Sequence, residues 1–296
     1  MLTENQAAKF QHDGFLNGGC VLNEGELTEL TEELDRVLAI GPTGFRDDQP
    51  KPVLFRDLTA RPYDGTKAAA AVSSRPVWQI VNIWEASSAF RRLLHHPSIV
   101  EAIHQLTDFA DLQVWHDQVQ YKPANMGGAT SWHQDAPAWP SIEPMTPVSA
   151  WLPLDDADIE NGCMWMVPGS HTWGNQVEYL GPLHTIKTLP AFSGIGADFL
   201  VPPESAVREV RTVPCPVKRG EVHFHHSLTW HGSPENHSPR PRRAIAIHYM
   251  SSAARYTGRA HPMQPFIQVG VGEPMLGAGP HFPVVCRGGR PVPAPE

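Results

Sequence analysis

Leu112-Gln113-Val114-Trp115-His116-Asp117-Gln118-Val119-Gln120-Tyr121, closed by Lys122-Pro123, is where the period of the chain changes. Upstream, apolar residues recur at helical spacing; downstream they come in short runs suited to strands. Residues 24 to 40 carry Leu27, Leu30, Leu34 and Leu38 on one helical face, with Asn23 placed to cap the start and Gly41-Pro42 to stop it. A shorter helix is predicted from Thr3 through Phe10, ending near Asp13-Gly14, and two more near 87–94 and 98–106. Beyond 112–121, short strands are predicted at 131–135, 148–154, 163–167, 221–226 and 243–250. Helices first and many short strands afterwards predict a helical layer packed against a β-sandwich or barrel.

The remaining stretches are punctuated by Pro and Gly, of which the chain has 30 and 24. Residues 41–76 read as a long irregular loop, and 180–216 as a Pro-interrupted insertion with a strand or two. From Ser251 onward Pro and Gly dominate, and 288–296 read as a loose tail. At 296 residues the chain suits one large domain: a helical layer over about 1–110, a core over about 111–250 and a C-terminal extension over 251–296.

A net charge of -8 offers no basic excess, so no nucleic-acid partner and no anionic membrane surface is expected. No apolar run approaches membrane-spanning length. The four cysteines, Cys20, Cys163, Cys215 and Cys286, form no C-x-x-C pair and read as reduced thiols. No secretory leader is visible at the N-terminus. A cytoplasmic protein, monomer or homodimer, acting on a small-molecule substrate is the expectation.

The chemistry starts at Trp132-His133-Gln134-Asp135. In a strand, alternate side chains share a face, so His133 and Asp135 project together. One imidazole and one carboxylate are two-thirds of the 2-His-1-carboxylate facial triad that binds Fe(II) in non-haem oxygenases. The third ligand must come from far along the chain, and His231, between Trp230 and Gly232, is the candidate. Among sixteen histidines it has competitors, notably His223 and His225, which alternate on one face and could form a metal pair of their own. In the last predicted strand, Ile245, Ile247 and Tyr249 form a bulky apolar face. Arg242, Ala244, Ala246 and His248 form a small one that suits a ligand pocket. Arg binds carboxylates bidentately, but Arg240 and Arg243 stand beside Arg242 as alternatives.

The chain resembles the phytanoyl-CoA dioxygenase family of Fe(II)- and 2-oxoglutarate-dependent oxygenases. The matching stretches follow the family's order over most of residues 2 to 250. They include Asp13-Gly14-Phe15-Leu16, Gln118-Val119-Gln120-Tyr121-Lys122-Pro123, Trp132-His133-Gln134-Asp135 and Trp151-Leu152-Pro153-Leu154. They continue with Glu160-Asn161-Gly162-Cys163, Pro168-Gly169-Ser170-His171, Lys218-Arg219-Gly220-Glu221 and His231-Gly232-Ser233 followed by Arg242-Arg243-Ala244. The distal His and Arg are eleven apart (242 − 231 = 11), as in the family.

The resemblance implies a double-stranded β-helix, or jelly roll, of cupin-like form, mainly β and flanked by N-terminal helices. It implies Fe(II) held by His133, Asp135 and His231, and 2-oxoglutarate paired with Arg242. It places Gln118, Trp151 and Ser233 along the co-substrate, and makes O2 the oxidant. It selects His231 because only that histidine is followed by Gly-Ser. Asp135, absent from related halogenases, points to hydroxylation or another oxidation. The implied activity is that of a dioxygenase oxidising a C–H bond of a small-molecule metabolite, releasing succinate and CO2. Two other classes stay open at this level. One is a cupin-type hydrolase or isomerase using His223, His225 and His231 without 2-oxoglutarate; the other is a binding protein that keeps the fold without turnover. Loops 41–76 and 181–216, and Trp139 just past the metal pair, are candidates to face the substrate.

Overall fold

The computed structural model describes residues 2–60, 74–144, 147–180 and 211–295. In chain order it forms α1 (Glu4–Asp13), β1 (Phe15–Cys20), α2 (Glu24–Ile40), β2 (Leu54–Asp57), β3 (Trp78–Val81), α3 (Ser88–Leu94) and α4 (Pro97–Thr107). There follow β4 (Leu112–Lys122), β5 (Thr130–His133), β6 (Ile142–Glu143), β7 (Val148–Pro153), β8 (Met164–Met166), α5 (Val177–Leu180), β9 (Val213–Cys215) and β10 (Glu221–His226). The chain closes with β11 (His231–Ser233), β12 (Arg242–Ser251), β13 (Arg255–Tyr256), β14 (Val284–Arg287) and β15 (Arg290–Pro291).

Capping explains why the first two helices begin where they do. Thr3 Oγ1 accepts from the Gln6 amide while the Gln6 side chain accepts from the Thr3 amide. Asn23 and Glu26 repeat the arrangement at α2, and Gly41 ends α2 at φ 71°. Each such reciprocal cap satisfies two backbone N–H groups that would otherwise lack partners. The face α2 buries is Leu27, Leu30, Leu34 and Val37, so Val37 takes the deep position assigned to Leu38.

Nine strands form one sheet in the order β1-β10-β7-β12-β4-β14-β15, with β3 on β4 and β2 on β3. A second sheet runs β5-β11-β8-β9. These are the two faces of the jelly roll. Helices α1 to α4 cover the outer face of the large sheet: Leu34, Phe90, Ile99 and Ile103 share one core with Val119, Leu152, Phe224, Ile245 and Ile247. Between the sheets lies a second core, with Trp151, Ala244 and Ala246 from the large sheet and Trp132, Met164, Met166 and Trp230 from the other side. Strand β12 therefore divides as its alternation requires: bulky residues under the helices, small ones and Arg242 inward.

The C-terminal extension differs from the sequence expectation. Met263, Met275, Ala278 and Phe282 pack with Trp115, Trp139 and Met250 into a third core. Gln113, buried in β4, donates its side-chain amide to the carbonyls of Met275 and Phe282. The stretch read as a loose tail contributes β15, paired with β14, and the Val292 carbonyl accepts from His95 Nδ1. Strands β1, β2 and β3 were not visible in the sequence either. Of the predicted insertion, 181–210 lie outside the described residues, and β9 is a strand within its remainder; 61–73 of the first loop also lie outside them.

Candidate metal centre

Strand β11 is the organising element. It pairs antiparallel with β5 so that His231 lies directly opposite His133, although the two are far apart in sequence. Directly opposed residues on an antiparallel pair are neighbours on one face. Gly232, between His231 and Ser233, sits in a tight place: a Cβ there would stand 3.0 Å from the Thr130 carbonyl oxygen and 3.2 Å from the Trp132 amide nitrogen, so the neighbouring strand would have to give way. The imidazole rings of His133 and His231 are 4.1 Å apart.

Asp135 reaches the same point by a different route from the one predicted. Strand β5 ends at His133, and Asp135 has helical backbone angles at the start of a 3₁₀ turn, so strand alternation does not aim it. Instead its amide and that of Ala136 donate to the Ser227 carbonyl, at 2.9 and 3.1 Å. Asp135 Oδ1 then lies 3.5 Å from His133 Nε2 and 3.6 Å from His231 Nε2. Among the described residues these three form a group whose ligand atoms lie within 4.8 Å of one another. Gln134 points the other way, its amide donating to the carbonyls of Gly174 and Leu228.

The donor set fits a divalent metal. His133 Nδ1 donates to the Ser131 carbonyl at 2.8 Å and His231 Nδ1 to the Thr229 carbonyl at 2.9 Å. Both rings thus carry their proton on Nδ1 and turn the Nε2 lone pair inward, the tautomer a metal ligand needs. Electrostatics agree. Burial, followed by the nearby His133, pushes His231 down to about 3, so it is neutral at physiological pH. Burial alone would raise the Asp135 carboxyl, but the surrounding imidazoles of His231, His133 and His225 hold it well below the usual range. Burial is the largest single influence on His133 and lowers it, yet the Asp135 carboxylate together with the Ser131 and His231 contacts outweighs that and leaves it raised.

A second feature lies on β12. Arg242 is fully buried, and all three guanidinium nitrogens lack a hydrogen-bond partner. Burial pulls it down to about 10, still charged at neutral pH. Its guanidinium sits over the face of Trp151 at 5.6 Å. Directly opposite on β4 is Lys122, also fully buried, which donates to Ser233 Oγ at 2.7 Å and the Pro234 carbonyl at 2.6 Å. Burial, then the charge of Arg242, pushes Lys122 well below its ordinary value. A buried guanidinium without an anion is a large uncompensated cost, and a bound carboxylate would relieve it. The rival arginines are engaged elsewhere: Arg240 with Asp158, and Arg243 with Asp155 and Asp35.

A cavity at the cluster is lined by His133, Asp135, His231, Gln118, Trp151 and Ser233, among others; Trp151 lies under the Arg242 guanidinium and Ser233 accepts from Lys122. Gln118 accepts from Gln79 and donates to His248 Nε2, and His248 Nδ1 donates to Ser149 Oγ. Sequence reasoning missed Lys122 as a site residue. It shares its face of β4 with Gln118 and Gln120, so nothing along the strand sets it apart from its polar neighbours. Trp139 packs against His248 and His116 under the C-terminal extension.

A jelly roll holding two histidines and a carboxylate at the mouth of its small sheet defines the non-haem iron oxygenase class. The phytanoyl-CoA dioxygenase (PhyH) family model matches residues 10–244, so the chain belongs to the phytanoyl-CoA dioxygenase family. It is 32% identical over 288 residues to the rat (Rattus norvegicus) phytanoyl-CoA dioxygenase domain-containing protein 1, covering 89% of this chain and 95% of that protein. The mouse (Mus musculus) protein of the same name is 32% identical over 177 residues, 60% of this chain and 57% of that protein. Among solved structures, SnoK, a non-heme α-ketoglutarate-dependent carbocyclase from nogalamycin biosynthesis, superposes with a TM-score of 0.70 at 24% identity, covering 96% of both chains. The family is one of non-haem iron, 2-oxoglutarate-dependent oxygenases. Among the described residues no helix is long and apolar enough to cross a membrane.

Proposed function

We propose that the protein is a dioxygenase that uses Fe(II), 2-oxoglutarate and O2 to oxidise a C–H bond of a small-molecule metabolite, with release of succinate and CO2. The observation that carries this reading is Arg242: a fully buried, unpartnered guanidinium on the strand that walls the His133–Asp135–His231 cluster. His133 Nε2, Asp135 Oδ1 and His231 Nε2 would hold the metal on one face and leave its other positions open. Arg242 would receive the far carboxylate of 2-oxoglutarate, and Ser233, fixed by Lys122, would offer its hydroxyl beside it. Gln118 and Trp151 would line the same co-substrate. When bound, the metal and co-substrate supply the oxidising power towards O2 and the substrate C–H bond; the protein supplies position and a dry pocket. Dryness comes from the inter-sheet core, where Trp132 and Trp230 are fully buried.

The cupin-type alternative is not favoured. His225 does not join the ligand group; it contacts Asp135 through the oxygen remote from the other two histidines. The four cysteines are free thiols, which fits a cytoplasmic location. The test is 2-oxoglutarate turnover by the Fe(II)-loaded protein, read as succinate, across a metabolite panel. Succinate release that depends on Fe(II) and 2-oxoglutarate and rises with one panel member supports the reading. Metal-dependent conversion of a panel member with no 2-oxoglutarate requirement rejects it.

A further inference from the structure

We propose that His225 is a positioning residue that locks the Asp135 carboxylate into one-oxygen ligation. The proposal rests on the metal-centre reading above. Asp135 lies past the end of β5 and has no ladder partner to hold it. It is gripped by one short stretch of chain instead. The Ser227 carbonyl takes the amides of Asp135 and Ala136, and His225 Nε2 meets Asp135 Oδ2 at 3.1 Å. The two carboxylate oxygens are thereby divided: Oδ1 faces His133 and His231, Oδ2 faces His225.

The chemistry of that contact fixes the tautomer. An ionised carboxylate only accepts, so His225 Nε2 carries the proton and donates. Its Nδ1 is buried and has no partner, so nothing competes for the opposite tautomer. This is the reverse of His133 and His231, whose protons sit on Nδ1. His225 is held in β10 between Phe15 of β1 and Ser149 of β7, and its side chain is only 3% exposed, so the ring has little freedom to turn. With Oδ2 occupied, the carboxylate cannot swing to place both oxygens on the metal and consume a position that co-substrate or O2 needs. The residue the sequence offered as a rival ligand thus acts one step behind the ligand it touches.

The experiment uses Co(II) as the probe in the full-length protein under anaerobic conditions. His225→Phe keeps a flat ring and loses the donor; His225→Gln keeps a donor. Removing such a support typically costs about 10–100-fold in metal affinity. His225→Phe is therefore expected to weaken Co(II) binding by about that factor and to change the visible Co(II) spectrum, while His225→Gln stays close to wild type. Phe with wild-type affinity and spectrum overturns the proposal, and so does Gln as impaired as Phe. If neither variant folds, histidine ¹⁵N spectra of the wild-type protein loaded with Zn(II) decide. They are expected to show His225 protonated on Nε2, and a metal-bound His225 overturns the proposal. Failure of the underlying reading is distinct: wild type itself would then bind neither Co(II) nor Zn(II) at His133 and His231.

Discussion

Replacing Arg242 by Met should abolish strong 2-oxoglutarate binding without harming the fold. The wild-type guanidinium offers up to five N–H donors, and none is used by the described residues. A bidentate carboxylate would take two charge-assisted bonds of about 1.5–3 kcal/mol each, or about 3–6 kcal/mol together. Lys122 stays in place opposite and retains part of the attraction, so the lower end applies: about 3 kcal/mol, a rise of about 10²-fold in Kd. The metal-free protein should behave differently. Exchanging a buried, unpaired charge for an apolar side chain of similar length is neutral or stabilising. Calorimetric titration of 2-oxoglutarate into Mn(II)-loaded protein gives the first number, and thermal melts of the metal-free protein give the second. Arg243→Met is the control. It breaks ion pairs to Asp155 and Asp35, so it should lower the melting temperature and leave the 2-oxoglutarate Kd unchanged. An unchanged 2-oxoglutarate Kd in Arg242→Met would refute the reasoning, as would a marked loss of stability, which would mean that the guanidinium serves the fold.

Two further outcomes follow from the same geometry. Metal affinity should fall as pH drops through the titration of His133, whose ordinary value of 6.5 is raised by Asp135, because its proton must leave before Nε2 can ligate; His231 and Asp135, both held low, contribute nothing to this step near neutrality. The expected slope is about tenfold per pH unit, with about one proton released per metal at pH 6, measurable by titration calorimetry in buffers of different ionisation enthalpy. Truncation before Arg290 should destabilise the protein by about 2–4 kcal/mol, since it removes the β14–β15 bonds and leaves His95 Nδ1 without its acceptor; an unchanged urea midpoint would show that this segment does not hold the fold.

The parts legible in the sequence are those whose signals are local. Helix α2 was readable to the residue because an amphipathic face, a capping pair and a terminal glycine all coincide. Strand β12 was readable because one face is bulky and the other small, and the two faces meet different layers. The facial cluster was legible through its residue types, yet the route to Asp135 was not: the strand ends two residues early, and a carbonyl ninety-two positions later (227 − 135 = 92) takes over. Strand β1, Phe15-Leu16-Asn17-Gly18-Gly19-Cys20, carries no β signal of its own and forms because β10 offers it a partner. The C-terminal extension has no periodicity because it is held by single side chains reaching loop carbonyls, with small and Met residues filling the space. Lys122 and His225 acquire their roles only through tertiary contacts, which no spacing along the chain encodes.

The most direct test of the central claim is optical. Fe(II) and then 2-oxoglutarate are added anaerobically to the metal-free protein, and the visible spectrum is followed for the weak charge-transfer band of an Fe(II)–2-oxoglutarate chelate. The account predicts the band in wild type, its loss in His231→Ala and Asp135→Ala, and its appearance in Arg242→Met only at far higher 2-oxoglutarate. A wild-type protein that binds Fe(II) and shows no band at saturating 2-oxoglutarate would contradict it.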